Sequence, residues 1–347
     1  MRVFDGHNDC LLRLYQHPDP DKAALFFTEQ ATGHIDFPRL QQGGFCGGFF
    51  AIYVPADPRS GKKAEPNGNH TPLPDPLDAD YARRVTISMA SILLSLIERS
   101  DQRLCLVTSK TTLDAALAAG QIAVLFHVEG VEAIDADLAF LDVLSAAGMR
   151  SLGPVWSRPN IFAEGVPFRY PSSPDIGNGL TEAGKRLVKA CNQKKILIDL
   201  SHLNEKGFWD VAALSDAPLV ATHSNAHALC QQSRNLTDKQ LDCIRERRGM
   251  VGVNFASAFL RADGQRRADT PLSDIVRHLD YLITRLGEDK VGFGSDFDGA
   301  LIPEGLKDVA GLPRLVATLR SHGYDEALIE KLCWENWASV LGRTLSE

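Results

Sequence analysis

Six side chains of the kinds that bind divalent metal ions stand at the ends of short apolar runs in the sequence. They are His7, Asp9, Glu129, His202, His223 and Asp296. Imidazole nitrogens and carboxylate oxygens are usual zinc ligands, and a catalytic zinc site also keeps one position for water. A charged group at the end of a buried run is costly unless it is paired or bound to a metal. The pattern therefore predicts a metal-dependent hydrolase.

The number of ligands indicates two zinc ions rather than one. Five of the six side chains, all except Asp296, are candidate ligands. One catalytic zinc ion cannot bind five side chains and still keep a coordination position for water. They suit two ions roughly 3.5–4 Å apart if one carboxylate bridges them, and we expect Glu129 to be that carboxylate. A hydroxide between the ions would be the nucleophile, and Asp296 would carry its proton to the leaving amine.

Taken singly, each histidine has an ordinary explanation, because a lone strand histidine is more often a core or surface residue than a ligand. That explanation must account for several buried polar groups at once, and it does so poorly. For His127 we expect a supporting or core role. Asp5 and Asp298 either orient His7 and Asp296, respectively, or cap loops, and the sequence leaves both options open.

Eight short β-rich runs must position these residues. They are 3–9, 49–54, 122–129, 150–155, 196–202, 219–223, 250–255 and 291–296. Amphipathic segments with helical spacing lie between most of them, for example 80–99, 138–147, 181–193, 238–247 and 272–286. This alternation predicts a parallel sheet covered by helices, and the count of eight favours a single-domain α/β fold, a (β/α)8 TIM barrel over residues 1–347.

A closed barrel brings the C-terminal ends of its strands into one ring, so distant residues become neighbours around one cavity. His7 and Asp9, two apart in a strand, would point to the same face. Two proline-rich loops, at about 55–76 and 154–174, follow the second and fourth strands and are predicted walls or lids of the active site. No GxGxxG or GxxxxGK[ST] motif follows a strand, which argues against nucleotide binding.

The composition narrows the class of partner. The net charge of −7 over 347 residues contains no long run of one sign, so a small substrate is a better prediction than a nucleic acid. The beginning of the chain lacks the features of a signal peptide, and no apolar segment reaches the ~18 residues that span a bilayer, so we predict a cytoplasmic protein with no membrane contact. The seven cysteines form no CxxC pair and are expected to be reduced.

Several motifs in their order along the chain resemble the renal or membrane dipeptidases, a branch of the amidohydrolase-like metal barrels. The most specific are DGHND at 5–9, IDLSH at 198–202 and GSDFDG at 294–299. The likeness extends over most of the chain through GHIDFPRLQQGG at 33–44, VEG at 128–130, GLTEAGKRLVKACN at 179–192, ATHSNAHALC at 221–230, SRN at 233–235 and VNF at 253–255.

The resemblance implies a zinc dipeptidase and agrees with the ligands inferred above. It implies that His7, Asp9 and Glu129 bind one zinc ion. It implies in the same way that Glu129, His202 and His223 bind the other, with Asp296 as the acid and base. It adds Arg234, whose planar guanidinium would bind the terminal carboxylate of the substrate through paired hydrogen bonds, although the sequence alone is also compatible with a surface arginine. Family members cleave dipeptides, often with a D-residue at the C-terminal position, and usually form homodimers.

Two positions depart from the best-studied branch of the family. Trp156 stands where that branch has a substrate-binding histidine after strand four, and Phe259 stands where it has a tyrosine after strand seven. Trp156 keeps an N–H donor but carries no titrating proton, and Phe259 has no hydroxyl. These departures keep two alternatives open. One is a hydrolase of N-acyl amino acids, cyclic amides or lactones, and the other, ranked lower, is an inactive barrel that binds a small metabolite.

Overall fold

A barrel of parallel strands surrounded by helices forms the part of the chain that the computed structural model describes, residues 1–59 and 70–347. The strands in this part of the chain are β1 (Val3–Asn8), β2 (Phe45–Tyr53), β3 (His70–Thr71), β4 (Leu104–Leu106), β5 (Ile122–Glu129), β6 (Ser151–Gly153), β7 (Phe168–Arg169), β8 (Leu197–Ile198), β9 (Val220–Ala221), β10 (Met250–Asn254) and β11 (Val291–Gly294), of which β3 and β7 form a separate two-stranded sheet. The order around the barrel is β8-β6-β5-β2-β1-β11-β10-β9, and a bridge between Asp199 and Val220 joins its two end strands. β4 pairs with the beginning of β5.

Helices follow most of the strands. They are α1 (Cys10–Gln16), α2 (Lys22–Phe27), α3 (Phe37–Gln42), α4 (Ala79–Glu98), α5 (Lys110–Ala119), α6 (Ala139–Ala146), α7 (Glu182–Lys194), α8 (Glu205–Leu214), α9 (Asp238–Glu246), α10 (Ser257–Leu260), α11 (Leu272–Leu286), α12 (Leu312–Ser321), α13 (Glu326–Glu330) and α14 (Asn336–Thr344). Capping side chains set where several begin: Thr181 and Asn204 accept hydrogen bonds from the first turns of α7 and α8. Within the described ranges, no helix combines the length and the apolar character needed to span a membrane.

The predicted α/β barrel is confirmed, and the five predicted helices match within one residue at each end. The predicted beginning of the second strand at residue 49 is wrong, because β2 begins four residues earlier, at Phe45. Gly47 and Gly48 weaken the β signal there, but the packing requires small residues. A Cβ atom on Gly48 would lie 2.8 Å from the Phe45 ring and 2.9 Å from the Asp5 carbonyl oxygen.

Two long loops approach each other over the C-terminal ends of the strands. These are the loops predicted at about 55–76 and 154–174, although residues 60–69 lie outside the described part of the chain. Each contains a short strand, and β3 pairs antiparallel with β7 so that Thr71 lies opposite Phe168. Both of these residues line the cavity at the barrel mouth. Thr71 and Phe168 therefore form part of the cavity wall, and the role of the two loops as walls or lids of the active site stays a prediction.

Trp337, from α14, fills the barrel interior on the N-terminal side of the metal-competent residues. It is fully buried, its ring centroid lies 5.1 Å from that of Phe49, and its indole N–H donates to the Phe293 carbonyl at 2.9 Å. The strands next to it carry glycine where a side chain would collide. Cβ atoms on Gly6 and on Gly252 would both overlap the carbonyl oxygen of Thr222. Glycine thus allows close backbone packing directly beneath the site.

Replacing Gly252 by alanine is expected to lower the free energy of unfolding by about 2 kcal/mol, because the new methyl group can fit only if the barrel backbone shifts. Gly342→Ala is the matched control. Its new methyl group would meet only the flexible Lys110 side chain, at 3.5 Å, and it lies within α14, where alanine is preferred to glycine. Urea unfolding of both variants measures the difference, and equal stability of the two would contradict the packing argument.

Candidate metal centre and active site

His7 and Asp9 meet at the end of β1. Both side chains are buried, and Nε2 of His7 lies 3.3 Å from Oδ2 of Asp9. The prediction that the strand runs through Asp9 is wrong by one residue, because β1 ends at Asn8 and α1 begins at Cys10. Asp9 precedes the helix with φ −109° and ψ 26°, and this turn still brings its carboxylate to His7.

Glu129, the last residue of β5, lies at the centre of the cluster. Its Oε1 atom is 3.7 Å from Nε2 of His7. The same oxygen is 2.9 Å from Nε2 of His202 and 3.3 Å from Nε2 of His223. These two imidazole nitrogens lie 3.2 Å from each other. The five predicted ligands therefore come together, although they come from four separated parts of the chain.

The residues present fit a metal centre. Both ring nitrogens of His7 are buried without a hydrogen-bond partner among the described residues. Ligand atoms of His7, Glu129 and His223 lie within 4.8 Å of one another, and so do those of His7, Asp9 and Asp296. A buried imidazole with no hydrogen-bond partner beside several carboxylates is costly without a cation. A metal ion would satisfy both kinds of group.

The protonation states of the histidines in the cluster also favour a metal centre. Burial lowers the pKa values of His202 and His223 well below the usual value, so both imidazoles are neutral and ready to coordinate a metal at neutral pH. For His7, burial also lowers the pKa, but the carboxylates of Glu129 and Asp9 outweigh it and raise the value to about 10. A bound metal ion would take the place of that proton between the carboxylates.

A chain of hydrogen bonds orients His223. Its Nδ1 lies 2.8 Å from the Thr222 hydroxyl, and that hydroxyl donates to Oδ2 of Asp199 at 2.6 Å. Asp199 also accepts the backbone N–H groups of Ser201 and Thr222 at 2.9 and 2.8 Å. With Nδ1 engaged in this way, Nε2 of His223 is left to face Glu129.

Asp199 and His127 lie next to His7 and to each other. Nε2 of the fully buried His127 lies 3.7 Å from Oδ2 of Asp199, and its Nδ1 lies 2.9 Å from the Ser151 hydroxyl. Burial lowers the pKa of His127 to about 3, so this imidazole is neutral. Sequence reasoning did not single out Asp199, although a charged residue in the apolar run KILIDL was an available signal.

The backbone at His202 and Asp296 adopts the left-handed conformation, with φ of 67° and 60°. Residues other than glycine rarely occupy this region, and such positions cluster at functional sites. Nδ1 of His202 lies 2.8 Å from the Ser157 hydroxyl, so this loop residue after β6 fixes the ring. The prediction that the fifth strand runs through residue 202 is wrong, because the regular part of β8 ends at Ile198 and the chain has turned by His202.

Asp296 lies beside the cluster, on the turn that follows β11. Its Oδ2 accepts a hydrogen bond from the Asn254 amide at 2.9 Å, and its backbone N–H donates to the His7 carbonyl. Burial raises the pKa of this carboxyl, while His7 opposes the shift. A carboxyl held near the reacting groups with a raised pKa suits proton transfer at neutral pH.

Asp5 and Asp298 do not contact the rings or carboxylates that they might have oriented. Asp5 accepts the backbone N–H and the hydroxyl of Ser295, both at 2.7 Å. Asp298 pairs with Arg13 at 3.1 Å and accepts the backbone N–H of His34 at 2.5 Å. Of the two options that the sequence left open, the structure favours the one in which these residues fix turns.

A cavity of about 430 Å³ opens over the cluster. Asp9, Glu129, His202 and Asp296 contribute to its floor. The rest of its lining is largely apolar or aromatic and consists of Leu12, Tyr53, Thr71, Trp156, Phe168, Gln232, Ala256, Ala258, Phe259, Gly264, Arg266, Gly299, Ala300 and Leu301. The cavity has the size of a small-molecule site with few polar groups at its centre.

Trp156 and Phe259, the two residues that depart from the family branch, both line this cavity. The Trp156 ring lies 5.0 Å from Tyr53 and 5.5 Å from Phe168, and Phe168 stacks on Phe259 at 6.0 Å. Together these four rings form an aromatic wall. Sequence reasoning missed Tyr53 and Phe168, because neither stands next to a recognisable motif and the pairing of β3 with β7 brings Phe168 to the mouth.

A buried ion pair stands behind this wall. Arg158 donates to Oε1 of Glu132 at 3.2 Å and to the Val54 carbonyl at 3.1 Å, and its guanidinium carbon lies 5.2 Å from the Trp156 ring centroid. Burial raises the pKa of Glu132, while the Arg158 cation opposes that shift. The pair therefore holds Trp156 in place from outside the cavity.

Arg234 is buried immediately behind the floor of the cavity and is not among the residues that line it. Its Nη1 donates to the Ser224 hydroxyl and its Nη2 to the His223 carbonyl, each at 3.0 Å. A guanidinium carries five N–H groups, so three donors remain, including Nε, which has no partner among the described residues. Its guanidinium carbon lies 5.6 Å from the Phe259 ring centroid.

A parallel barrel that gathers histidines and carboxylates at the C-terminal ends of its strands has the architecture of a metal-dependent hydrolase. The chain matches the membrane dipeptidase family, peptidase family M19, over residues 1–346 and belongs to it. It is a metallodipeptidase of that family.

Similar proteins agree with this assignment. The crystal structure of a metallopeptidase from Rhodobacter sphaeroides, liganded with a phosphinate mimic of the dipeptide L-Ala-D-Ala, is 54% identical, with a TM-score of 0.95 and 99% of each chain covered. A second structure, described as dipeptidase AC, is also 54% identical with a TM-score of 0.95, over 100% of this chain and 99% of the other. An uncharacterized protein in the pqqA 5′ region of Klebsiella pneumoniae is 51% identical over 267 residues, which are 77% of this chain and 96% of that protein.

Proposed function

We propose that this metallodipeptidase holds two zinc ions and hydrolyses dipeptides, including those with a D-residue at the C-terminal position. The observation that carries the proposal is the approach of three imidazole nitrogens to one carboxylate oxygen, Oε1 of Glu129, within 3.7 Å. The phosphinate mimic of L-Ala-D-Ala in the similar Rhodobacter sphaeroides enzyme supports the stereochemistry. The homodimer and the cytoplasmic location stay predictions.

Each ligand has an assignment in this proposal. His7 and Asp9 would hold one ion, His202 and His223 would hold the other, and Glu129 would contribute a ligand to both. Metal ions held there would supply Lewis acidity for polarising the scissile carbonyl and activating water.

The chain's own residues position the substrate and move the proton. Asp296 accepts a proton from the attacking water and gives it to the leaving amine, because its carboxyl is buried beside the cluster with a raised pKa. The aromatic wall that contains Trp156 and Phe259 excludes water from the side chains of the substrate. The Trp156 indole N–H is available to the carbonyl oxygen, and unlike a histidine it keeps its proton at every working pH.

Arg234 binds the free carboxylate of the substrate with the donors that its protein partners leave unused. The proposal is supported by the contact of this buried cation with Phe259, which lines the cavity, at 5.6 Å from its guanidinium carbon to the ring centroid. Burial lowers the pKa of Arg234, while the neighbouring acids Asp296 and Glu129 oppose that shift. A guanidinium keeps its charge in proteins.

Arg234→Met is expected to lower kcat/KM for a dipeptide with a free C-terminus by roughly 10- to 100-fold, because a charge-assisted hydrogen bond is lost. The kcat/KM for the C-terminally amidated dipeptide should stay almost unchanged. The measurement is a panel of Ala-D-Ala, its amide and N-acetyl-D-alanine, assayed with the wild-type enzyme and the variant. N-acetyl-D-alanine as the better wild-type substrate would favour an N-acyl amino acid hydrolase.

Arg234→Lys is the matched variant, because it keeps the charge and loses the planar pair of donors. It should recover part of the discrimination between the free and the amidated dipeptide. Metal content and thermal unfolding of both variants show whether the site remains intact, since a buried cation has been changed. Equal turnover of free and amidated dipeptides by the wild-type enzyme would contradict the role of Arg234.

A further inference from the structure

Three arginines stand in the segment 261–269, RADGQRRAD, and two of them are neutralised locally. Arg261 donates to Asp263 at 2.8 Å, and Arg267 donates to Asp269 at 2.9 Å, each two residues further along the chain. Arg266 lies between these pairs. It is exposed, it lines the cavity over the metal-competent residues, and it has no hydrogen bond or ion pair within 1–59 and 70–347.

The backbone that carries Arg266 is held on both sides. Gly264 adopts φ +64° against the ring of Tyr170, where a Cβ atom would overlap the ring, and the Tyr170 hydroxyl donates to the Ala262 carbonyl at 2.5 Å. On the other side, the Arg267 N–H donates to the Ser257 hydroxyl at 3.1 Å. A fixed backbone limits the entropy lost when the arginine binds a ligand.

The charged residues of the cavity indicate what Arg266 binds. The acidic residues of the lining, Asp9, Glu129 and Asp296, all belong to the metal-competent cluster. Among the described lining residues Arg266 is the sole cation, and the walls around it are otherwise neutral. Arg234 lies behind the floor and is assigned to the terminal carboxylate, which every dipeptide carries. A second cation at the mouth therefore fits a second anion, and a side-chain carboxylate is the anion that only some dipeptides have.

We propose that Arg266 is a specificity-determining residue and that the enzyme prefers dipeptides with an acidic side chain, aspartyl or glutamyl. The inference rests on the proposed dipeptidase function and specifies its substrate class. Because Arg266 is exposed, water and salt weaken the attraction, and the preference should decline as ionic strength rises.

The test compares glutamyl with glutaminyl substrates, which have the same shape and differ in charge. Wild-type enzyme is assayed with Ala-D-Glu, Ala-D-Gln, Glu-D-Ala and Gln-D-Ala, and with Ala-D-Ala as the neutral reference. We expect kcat/KM for one glutamyl substrate to exceed that for its glutaminyl partner by about tenfold. This factor lies between the contributions of exposed and of partly buried ion pairs. Which of the two pairs shows the preference identifies the side chain that Arg266 contacts.

Arg266→Met should abolish this preference and lower kcat/KM for the glutamyl substrate much more than for Ala-D-Ala. Arg266→Glu should reverse the preference and favour Ala-D-Lys or Lys-D-Ala over the glutamyl substrates. Arg267→Met is the matched control, because it removes an exposed arginine from the same segment that is already paired with Asp269, and it should keep the wild-type preference.

Failure of the proposed function and failure of the inference about Arg266 would give different results. Absence of hydrolysis for every dipeptide would contradict the proposed function itself. Hydrolysis with no preference between glutamyl and glutaminyl substrates would leave that function intact and contradict the inference. If Arg266→Met slowed Ala-D-Ala as much as the glutamyl substrate, Arg266 would bind the terminal carboxylate, and its assignment to a side chain would be wrong.

Discussion

Asp296→Asn is expected to keep the bound metal ions and to lower kcat by about 10²- to 10⁴-fold, the range that general acid–base catalysis contributes. The asparagine oxygen can still accept the hydrogen bond from Asn254, so the turn after β11 should keep its geometry. The amide, however, cannot take a proton from water and give it to the leaving amine. Metal analysis and steady-state kinetics on Ala-D-Ala, with the variant and the wild-type enzyme side by side, measure both properties.

Asp298→Asn is the matched control for this variant. Asp298 lies two residues away on the same turn and also has a left-handed backbone, with φ 65°, but it pairs with Arg13 instead of facing the cluster. Its replacement should lower thermal stability and leave kcat near the wild-type value. Loss of metal from Asp296→Asn would reassign Asp296 as a ligand, since its carboxylate lies within 4.8 Å of ligand atoms of His7 and Asp9. Wild-type turnover would exclude it as the proton carrier.

Glu129→Gln is expected to give the largest loss. The wild-type protein should contain two zinc ions per chain, and the variant should lose at least one, because a neutral amide is a poor bridge between two cations. Activity should fall by at least about 10³-fold, since a bound metal ion contributes several kcal/mol to the transition state. Metal analysis after dialysis and dipeptide hydrolysis at saturating zinc measure the two effects separately.

Glu132→Gln tests whether such losses come from disturbing any buried carboxylate in this region. Glu132 lies three residues beyond Glu129, is also buried and pairs with Arg158 at 3.2 Å. Its replacement leaves the Arg158 cation without its partner, so thermal stability should fall while both zinc ions stay bound. If Glu129→Gln kept two zinc ions, Glu129 would not be the bridge. If Glu132→Gln lost them as well, metal retention would depend on the packing of this region.

The sequence predicted the metal-competent residues because their chemistry conflicts with their surroundings. A histidine or carboxylate that ends an apolar strand stands out without any structure, and eight such strands imply one ring of C-terminal ends. The helices were equally accessible, because their apolar spacing is local; α11 has the predicted bounds of 272–286. In contrast, the sequence did not predict the beginning of β2. Gly47 and Gly48 allow close packing between strands, and strand propensities contain no information about such packing.

The rest of the site depends on contacts between distant segments. Phe168 reaches the mouth only because β7 pairs with β3, and Tyr53 becomes part of the wall only when Trp156 packs against it. Arg266 is distinguished from Arg261 and Arg267 because it has no hydrogen-bond or ion-pair partner among the residues that the structure describes. A run of arginines and aspartates in a sequence does not say which charges pair.

The sequence by itself therefore determined the barrel and the residues with metal-binding chemistry, His7, Asp9, Glu129, His202 and His223, together with Asp296. Periodicity and the cost of burying a charge are properties that each short segment carries alone. Only the tertiary structure decided that Oε1 of Glu129 faces three imidazole nitrogens and that Asp199 orients His223 through Thr222. It also decided that Arg266, unlike its neighbours Arg261 and Arg267, lines the cavity without a partner in the described part of the chain. Distances and partners of this kind arise from closure of the barrel, which brings together residues far apart in the chain.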